Sequence, residues 1–372
     1  MDEKAGGGLR WSPKEKHVKK QNSTQPHFAA IGIDLGDVWG HYCSIDEDGN
    51  IVEEGRVKMT RRAMSDHFAD LPPKRIAIEA GTHSLWVSEH LSEMGHEVFV
   101  ANVRELRAIT DSDRKHDRAD AEKLARYARV DPRILRPIKH RSSLTHADLV
   151  FVRSRAVLVE ARTRLSNTAR SLVKPFGLRL PPLSVSGYAK KALDRLPENL
   201  KNAVGPLPSL IDALTAQIVN FDNQVEKLAE TKYPETIALQ QIHGVGALTA
   251  LTFVLTLEDK NRFRKSRDAG CFLGLRPRRS QSGRSDPQLG ITKAGDRYLR
   301  TLLVQCAHHI LGPFGPPTAL QIWGRKLAER GGKNGRKRAI VAVARKLAVL
   351  LHRLWVTQSS YEPMRGSSTA AA

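Results

Sequence analysis

The sequence predicts an α/β layer domain followed by two helical parts, and three observations point to it. Two apolar runs, "IGIDLG" and "RIAIEAG", each stop at an acid and then a glycine, the pattern of strands that end at a cleft. Strand and helix patterns alternate between and after them as far as residue 129. From Ser142 onward apolar residues recur every three or four positions almost to the end, which is the helical period.

Residues 1–27 are polar, glycine-rich and then lysine-rich, with no apolar core of a signal peptide, and are expected to be a disordered basic arm. The α/β domain is placed at 28–140. It opens with the strand carrying Ile31 and Ile33, and continues with "HYCSID" and "IVEEGRVKM" joined at the Asp48-Gly49 turn. "RIAIEA" and "EVFVAN" are strands either side of the helical "SLWVSEHLSEMG". Helices are expected over Val103–Thr110 and about Asp117–Arg129, and the prolines of "DPRILRPIKH" close the domain. A meander of strands followed by helix and strand in alternation is the order of a ribonuclease-H-like α/β domain.

Residues 141–235 read as a helical or coiled-coil arm. One long helix runs over about 142–175 and a second over about 207–232, separated by a proline-rich loop. The second has Leu210, Ile211, Leu214, Ile218, Phe221, Val225 and Leu228 on one stripe, which serves equally for packing within one chain or for pairing between two. A mostly helical third part covers 236–358. It starts at Gly244-Val245-Gly246, which resembles the hairpin of helix-hairpin-helix modules, where glycines let backbone amides approach a phosphate. Residues 359–372 are expected to be a frayed tail.

The 372 residues hold 60 Lys and Arg against 39 Asp and Glu, a formal net charge of +21. The pI is near 10.1. Such an excess speaks about partners, and polyanions come first. Between Lys260 and Arg345 there are 20 Lys and Arg and four acids, so this stretch carries +16. Its basic residues fall partly in Gly/Ser/Pro-interrupted loops, "RPRRSQSGRS" and "RGGKNGRKR", suited to following a phosphate backbone. Arg278, Arg279, Arg284, Lys293, Arg297, Arg300, Lys333, Arg336 and Lys337 are the candidate contacts. No apolar run reaches the roughly 18 residues of a membrane span, so no membrane partner is expected. Cys43, Cys271 and Cys306 stand far apart, which argues against disulfides and a cysteine zinc site and fits a reducing cytoplasm.

An isolated acid at a strand end is usually just solvated. Asp34 and Glu79, however, occupy equivalent positions on two strands expected to be neighbours. Asp117 and Asp120 are spaced i, i+3 and share one helix face. Four carboxylates directed at one point repel one another, and a pair of Mg²⁺ ions resolves the repulsion. Two such ions roughly 4 Å apart serve a phosphodiester displacement. Asp111 and Asp113 lie in the same acidic stretch, where a solvated helix start is the alternative to ligation.

The order strand-Asp, strand-Glu, then "HDRADAEKLAR" resembles the DEDD transposases of insertion-sequence family 110, relatives of pilin-gene inverting recombinases. Independently, "IHGVGALTALTFVLTLED", "FLGLRPRRSQSG" and "GITKAGDRYLRTLLVQCAH" resemble the serine-containing transposase domain of that family. The resemblance covers about Ala30 to Leu354. It departs modestly in the last aspartate pair, which reads Lys-His-Asp-Arg-Ala-Asp here. It implies a RuvC-like first domain, with Asp34, Glu79, Asp117 and Asp120 holding two Mg²⁺ (Mn²⁺ substituting). It also implies a serine nucleophile just before a glycine, which Ser282-Gly283 matches better than Ser280 or Ser285. Arg278, Arg279 and Arg284 would neutralise the scissile phosphate. The implied partners are donor and target DNA, a guide (bridge) RNA and further copies of the chain as dimer or tetramer. The implied setting is the nucleoid of a prokaryotic cytoplasm.

Other readings make different demands. "IGIDLG" also opens actin-like ATPases and sugar kinases, but their second phosphate loop and adenosine site are missing from the sequence. A RuvC-like nuclease using water needs the four acids and no serine. A non-catalytic nucleic-acid-binding protein needs neither.

Overall fold

A computed structural model describes residues 29–102, 116–184, 187–287, 289–313 and 315–365. The expected helix at Val103–Thr110, Asp111, Asp113 and the basic arm lie outside them. The chain divides into two compact units, at His140/Arg141.

The first unit is built on a mixed five-stranded sheet. Its strands are β1 (Ala30–Leu35), β2 (Trp39–Ile45), β3 (Ile51–Lys58), β4 (Arg75–Glu79) and β5 (Glu97–Ala101), in the order β3-β2-β1-β4-β5. β1–β2–β3 is an antiparallel meander, while β4 and β5 run parallel to β1. At the β2–β3 turn the Asp46 carboxylate accepts from the Asn50 backbone N–H at 2.8 Å, and Gly49 takes the left-handed conformation, φ +88°. The hydrogen bonds from Asn50 hold the Asp46 carboxyl below its ordinary range.

β1 is apolar because both of its faces are covered. On one face Ile31, Ile33, Ile76 and Ile78 pack against α1 (Arg61–Phe68) and α2 (Ser84–Glu93) through Met64, Phe68, Val87 and Leu91. On the other, Ala30, Cys43, Ile45, Ala77 and Ala101 pack against α3 (Asp117–Val130) through Ala121, Leu124, Ala125 and Ala128. The alanines of α3 let its backbone come down onto β1. A Cβ added at Gly32 would overlap the Ala121 carbonyl and the Ala125 amide. Gly32 is thus the contact that sets the height of α3 above the sheet. Gly32→Ala is expected to destabilise this unit by about 1–3 kcal/mol, the cost of overpacking, read as a lower denaturation midpoint. An unchanged midpoint would show that α3 is free to shift.

The second unit begins with α4 (Ser143–Val173), capped by the Ser142 hydroxyl, which accepts from the Thr145 amide. Two short helices, α5 (Tyr188–Leu193) and α6 (Glu198–Val204), lead into α7 (Pro206–Thr231). α4 and α7 lie antiparallel. Phe151 stacks on Phe221 at 4.7 Å, Arg155 bonds Asp222 at 2.8 Å, and Arg162 reaches Thr215. Part of the α7 stripe is used by packing within the chain, where Ile211, Ile218 and Val225 are buried. Leu210, at the start of the stripe, stays 49% exposed.

The rest comprises α8 (Thr236–Gln240), α9 (Ala247–Leu257), α10 (Arg267–Phe272), α11 (Arg297–Leu311), α12 (Ala319–Glu329) and α13 (Gly335–Thr357). One core joins Phe253, Val254 and Leu257 to Leu299, Leu303 and Ala307 and to Val343, Leu347 and Leu351. Gly244 has φ +88°, and a Cβ there would press on His309 at 3.0 Å and Ile310 at 3.4 Å. Close packing on α11 therefore explains this glycine without any phosphate. The tail also starts later than expected. The Tyr361 amide donates to Gln241 Oε1 at 2.8 Å, and the Ala319 amide donates to the Pro363 carbonyl at 2.8 Å.

Candidate active site and nucleic-acid interface

Strand alternation decides where the two strand acids lie. Ala30, Gly32 and Asp34 share the face of β1 that meets α3, and Ala77 and Glu79 share the same face of β4. The parallel register pairs Ile33 with Ile78, so the next step puts Asp34 beside Glu79. Both acids stand at the carboxyl ends of adjacent parallel strands. The first turn of α3 lies over that same end. His41 is directly opposite Asp34 in the antiparallel register, and its Nδ1 is 3.5 Å from Asp117 Oδ2. Asp120 is buried, 4% exposed, with its carboxylate 3.1 Å from Lys123 Nζ.

Asp34, Glu79, Asp117 and Asp120 are thus gathered at one end of one sheet face. They are not drawn to a single point: among the described residues no group of three or more His, Cys, Asp or Glu is close enough to hold a metal ion. Mutual repulsion opposes such convergence, and each helix aspartate instead faces a basic side chain, His41 or Lys123. The donor set itself, four carboxylates, is the one that hard divalent cations take. His41 was not singled out in the sequence; only the cross-strand register reveals it.

Ser282 sits in the second unit at the tip of a small hairpin. Its backbone N–H donates to the Ser285 carbonyl at 3.0 Å, and the reverse bond is 2.9 Å. Gly283 turns the chain with φ +53°, a conformation that suits glycine. Further back the Arg278 amide donates to the Gly290 carbonyl at 2.9 Å. Ser280, Ser282 and Ser285 are all exposed, as are Arg278 and Arg284. Arg279 is paired with Asp286 at 2.9 Å.

Of the remaining basic candidates, Lys293, Arg297, Arg336 and Lys337 are exposed, and the Lys333 side chain lies outside the described residues. Arg300 already has partners in the chain. Its guanidinium donates to the carbonyls of Leu273 (3.2 Å), Ala294 (2.5 Å) and Gly295 (3.2 Å). These bonds tie down the loop before α11. Among the described residues no helix is long and apolar enough to cross a membrane.

Two family models match this chain. One, described as "Transposase" with a DEDD and IS110 designation, matches residues 31–176. The other, "Transposase IS116/IS110/IS902 family", matches residues 237–320. The transposase for insertion sequence element IS1111A of Coxiella burnetii is 31% identical over 356 residues, covering 92% of this chain and 94% of that protein. The chain belongs to the IS110 family of insertion-sequence transposases. The transposase for insertion sequence element IS1328 of Yersinia enterocolitica is 29% identical, over 76% of this chain and 84% of its own length. The pilin gene-inverting protein of Moraxella bovis is 24% identical, over 80% and 84%. Within this IS110-family chain all four acids fall in the first matched segment and Ser282 in the second, whereas Arg336 and Lys337 fall in neither.

Proposed function

We propose that this transposase cuts and rejoins DNA at a centre made of Asp34, Glu79, Asp117 and Asp120, with Ser282 as nucleophile. The observation that carries the reading is the placement of Asp34 beside Glu79 under the first turn of α3, in a ribonuclease-H-like strand order. The four carboxylates would hold divalent cations, Mg²⁺ with Mn²⁺ substituting, whose chemistry is to activate an oxygen nucleophile and offset charge on a phosphodiester. In the serine step the Ser282 Oγ–phosphorus bond forms as the bond from phosphorus to a deoxyribose oxygen breaks. The serine proton leaves, and the departing strand end gains one. One ester replaces another, so the energy needed for rejoining is kept. Arg278 and Arg284, exposed in the same loop as Ser282, would offset the charge of the phosphate. Ser282 and the four acids belong to different units, and the same reading has the chain act as a dimer or tetramer. A guide RNA is part of the same reading.

The test uses full-length protein with DNA carrying the ends of its own element and a target. Strand-transfer product is expected with Mg²⁺ or Mn²⁺ and none with a chelator. Nuclease treatment of the protein beforehand is expected to stop the reaction through loss of its RNA. Product formed in chelator would overturn the metal-dependent reading.

A further inference from the structure

The face of the sheet that carries Asp34 does not end at Asp34. The antiparallel register extends one cross-strand row from Asp34 to His41 and on to Arg56, and the next row pairs Trp39 with Lys58. Directly opposed residues in a sheet share a face. Trp39, Arg56 and Lys58 therefore lie on the same side as the carboxylates, one and two strands outward, on the edge that β3 forms. Trp39 is 40% exposed. The Arg56 guanidinium and the Lys58 ammonium each stand 5.5 Å from the centre of its ring, so an exposed aromatic has two positive charges beside it.

We infer that Trp39, Arg56 and Lys58 form a shelf that seats the unpaired DNA strand on its way to the carboxylates. A base stacks on the indole, and the phosphates on either side meet the two cations. Stacking on an exposed aromatic flanked by basic groups is the general mode of single-strand binding. The negative strand matches the positive shelf, whereas the neighbouring carboxylates would repel it without such a guide. The inference rests on the reading of Asp34 as part of the cleavage centre.

The test uses the full chain in chelator, so that binding is read apart from cleavage. The probe is a single-stranded deoxyoligonucleotide bearing a fluorescent adenine analogue that stacking quenches. Trp39→Ala is expected to bind about tenfold more weakly and to lose the quench, and Trp39→Phe to retain most of both. Arg56→Gln with Lys58→Gln should lower the slope of log affinity against log salt by about 1.4. Unchanged affinity and quench in Trp39→Ala would overturn the proposal. So would quenching by an RNA strand of the same sequence with none by the DNA. If the two cations only guard a sheet edge, their removal yields aggregation with binding intact, which also overturns it. Failure here is separable from failure of the carboxylate reading, which is judged by cleavage in Asp34 variants.

Discussion

Alanine at Asp34 or at Glu79 lowers strand cleavage by roughly a thousandfold or more, the scale on which removal of one electrostatic group from an active centre is felt. DNA affinity is expected to stay nearly as it is, because the positive charge is concentrated between Lys260 and Arg345 and salt-dependent affinity follows the cations. The two strand acids carry the sharper prediction for a structural reason. They sit at the open ends of β1 and β4, beyond the core residues Ile33 and Ile78, so truncation leaves no cavity. Asp120 differs, since its buried carboxylate is matched by Lys123. Removing it strands a cation in a half-buried place, with a stability cost of its own. Asp120→Asn is therefore the variant that isolates its chemical part. Cleavage within about tenfold of wild type by Asp34→Ala, in protein with native circular dichroism, contradicts the assignment.

How much of this was legible in the sequence depends on the range of the interaction involved. Asp34 and Glu79 could be read because strand periodicity and a following glycine are local signals, and they lie where that pattern implies. That Asp117 and Asp120 share a helix face was readable from their i, i+3 spacing. His41, Trp39, Arg56 and Lys58 were not, because their relation to Asp34 is cross-strand register, which no single segment encodes. The reason for Gly32 was hidden likewise, since it lies in the backbone of α3. Arg300 looked like any other arginine of a basic stretch, and only the fold shows its three carbonyl partners. The Leu210–Leu228 stripe has the helical period whether its partner is α4 or a second chain, so the period alone could not show that Ile211, Ile218 and Val225 are buried within the chain. α1 escaped notice because "RRAMSDHF" is short and polar; its start is fixed by the Thr60 hydroxyl accepting from the Ala63 amide.

Ser282→Ala is expected to abolish strand transfer while leaving the hairpin in place. The turn is held by two backbone bonds between Ser282 and Ser285 and by the conformation of Gly283, none of which involves the hydroxyl. Loss of activity would then be chemical and not structural. Ser280→Ala and Ser285→Ala should retain it, as residues of the same exposed loop that lack the serine-glycine context. A hydrolytic enzyme of the same carboxylate design would cleave normally with all three serines replaced.

The most direct measurement is recovery of a covalent protein–DNA complex after denaturation, with the attached peptide identified by mass. Wild-type protein with divalent metal should yield one phosphoserine linkage at Ser282. It should be absent from Ser282→Ala and also from Asp34→Ala, because a serine hydroxyl is a poor nucleophile without the carboxylate centre. Efficient cutting by wild-type protein with no covalent complex at any serine would contradict the account, leaving water as the nucleophile.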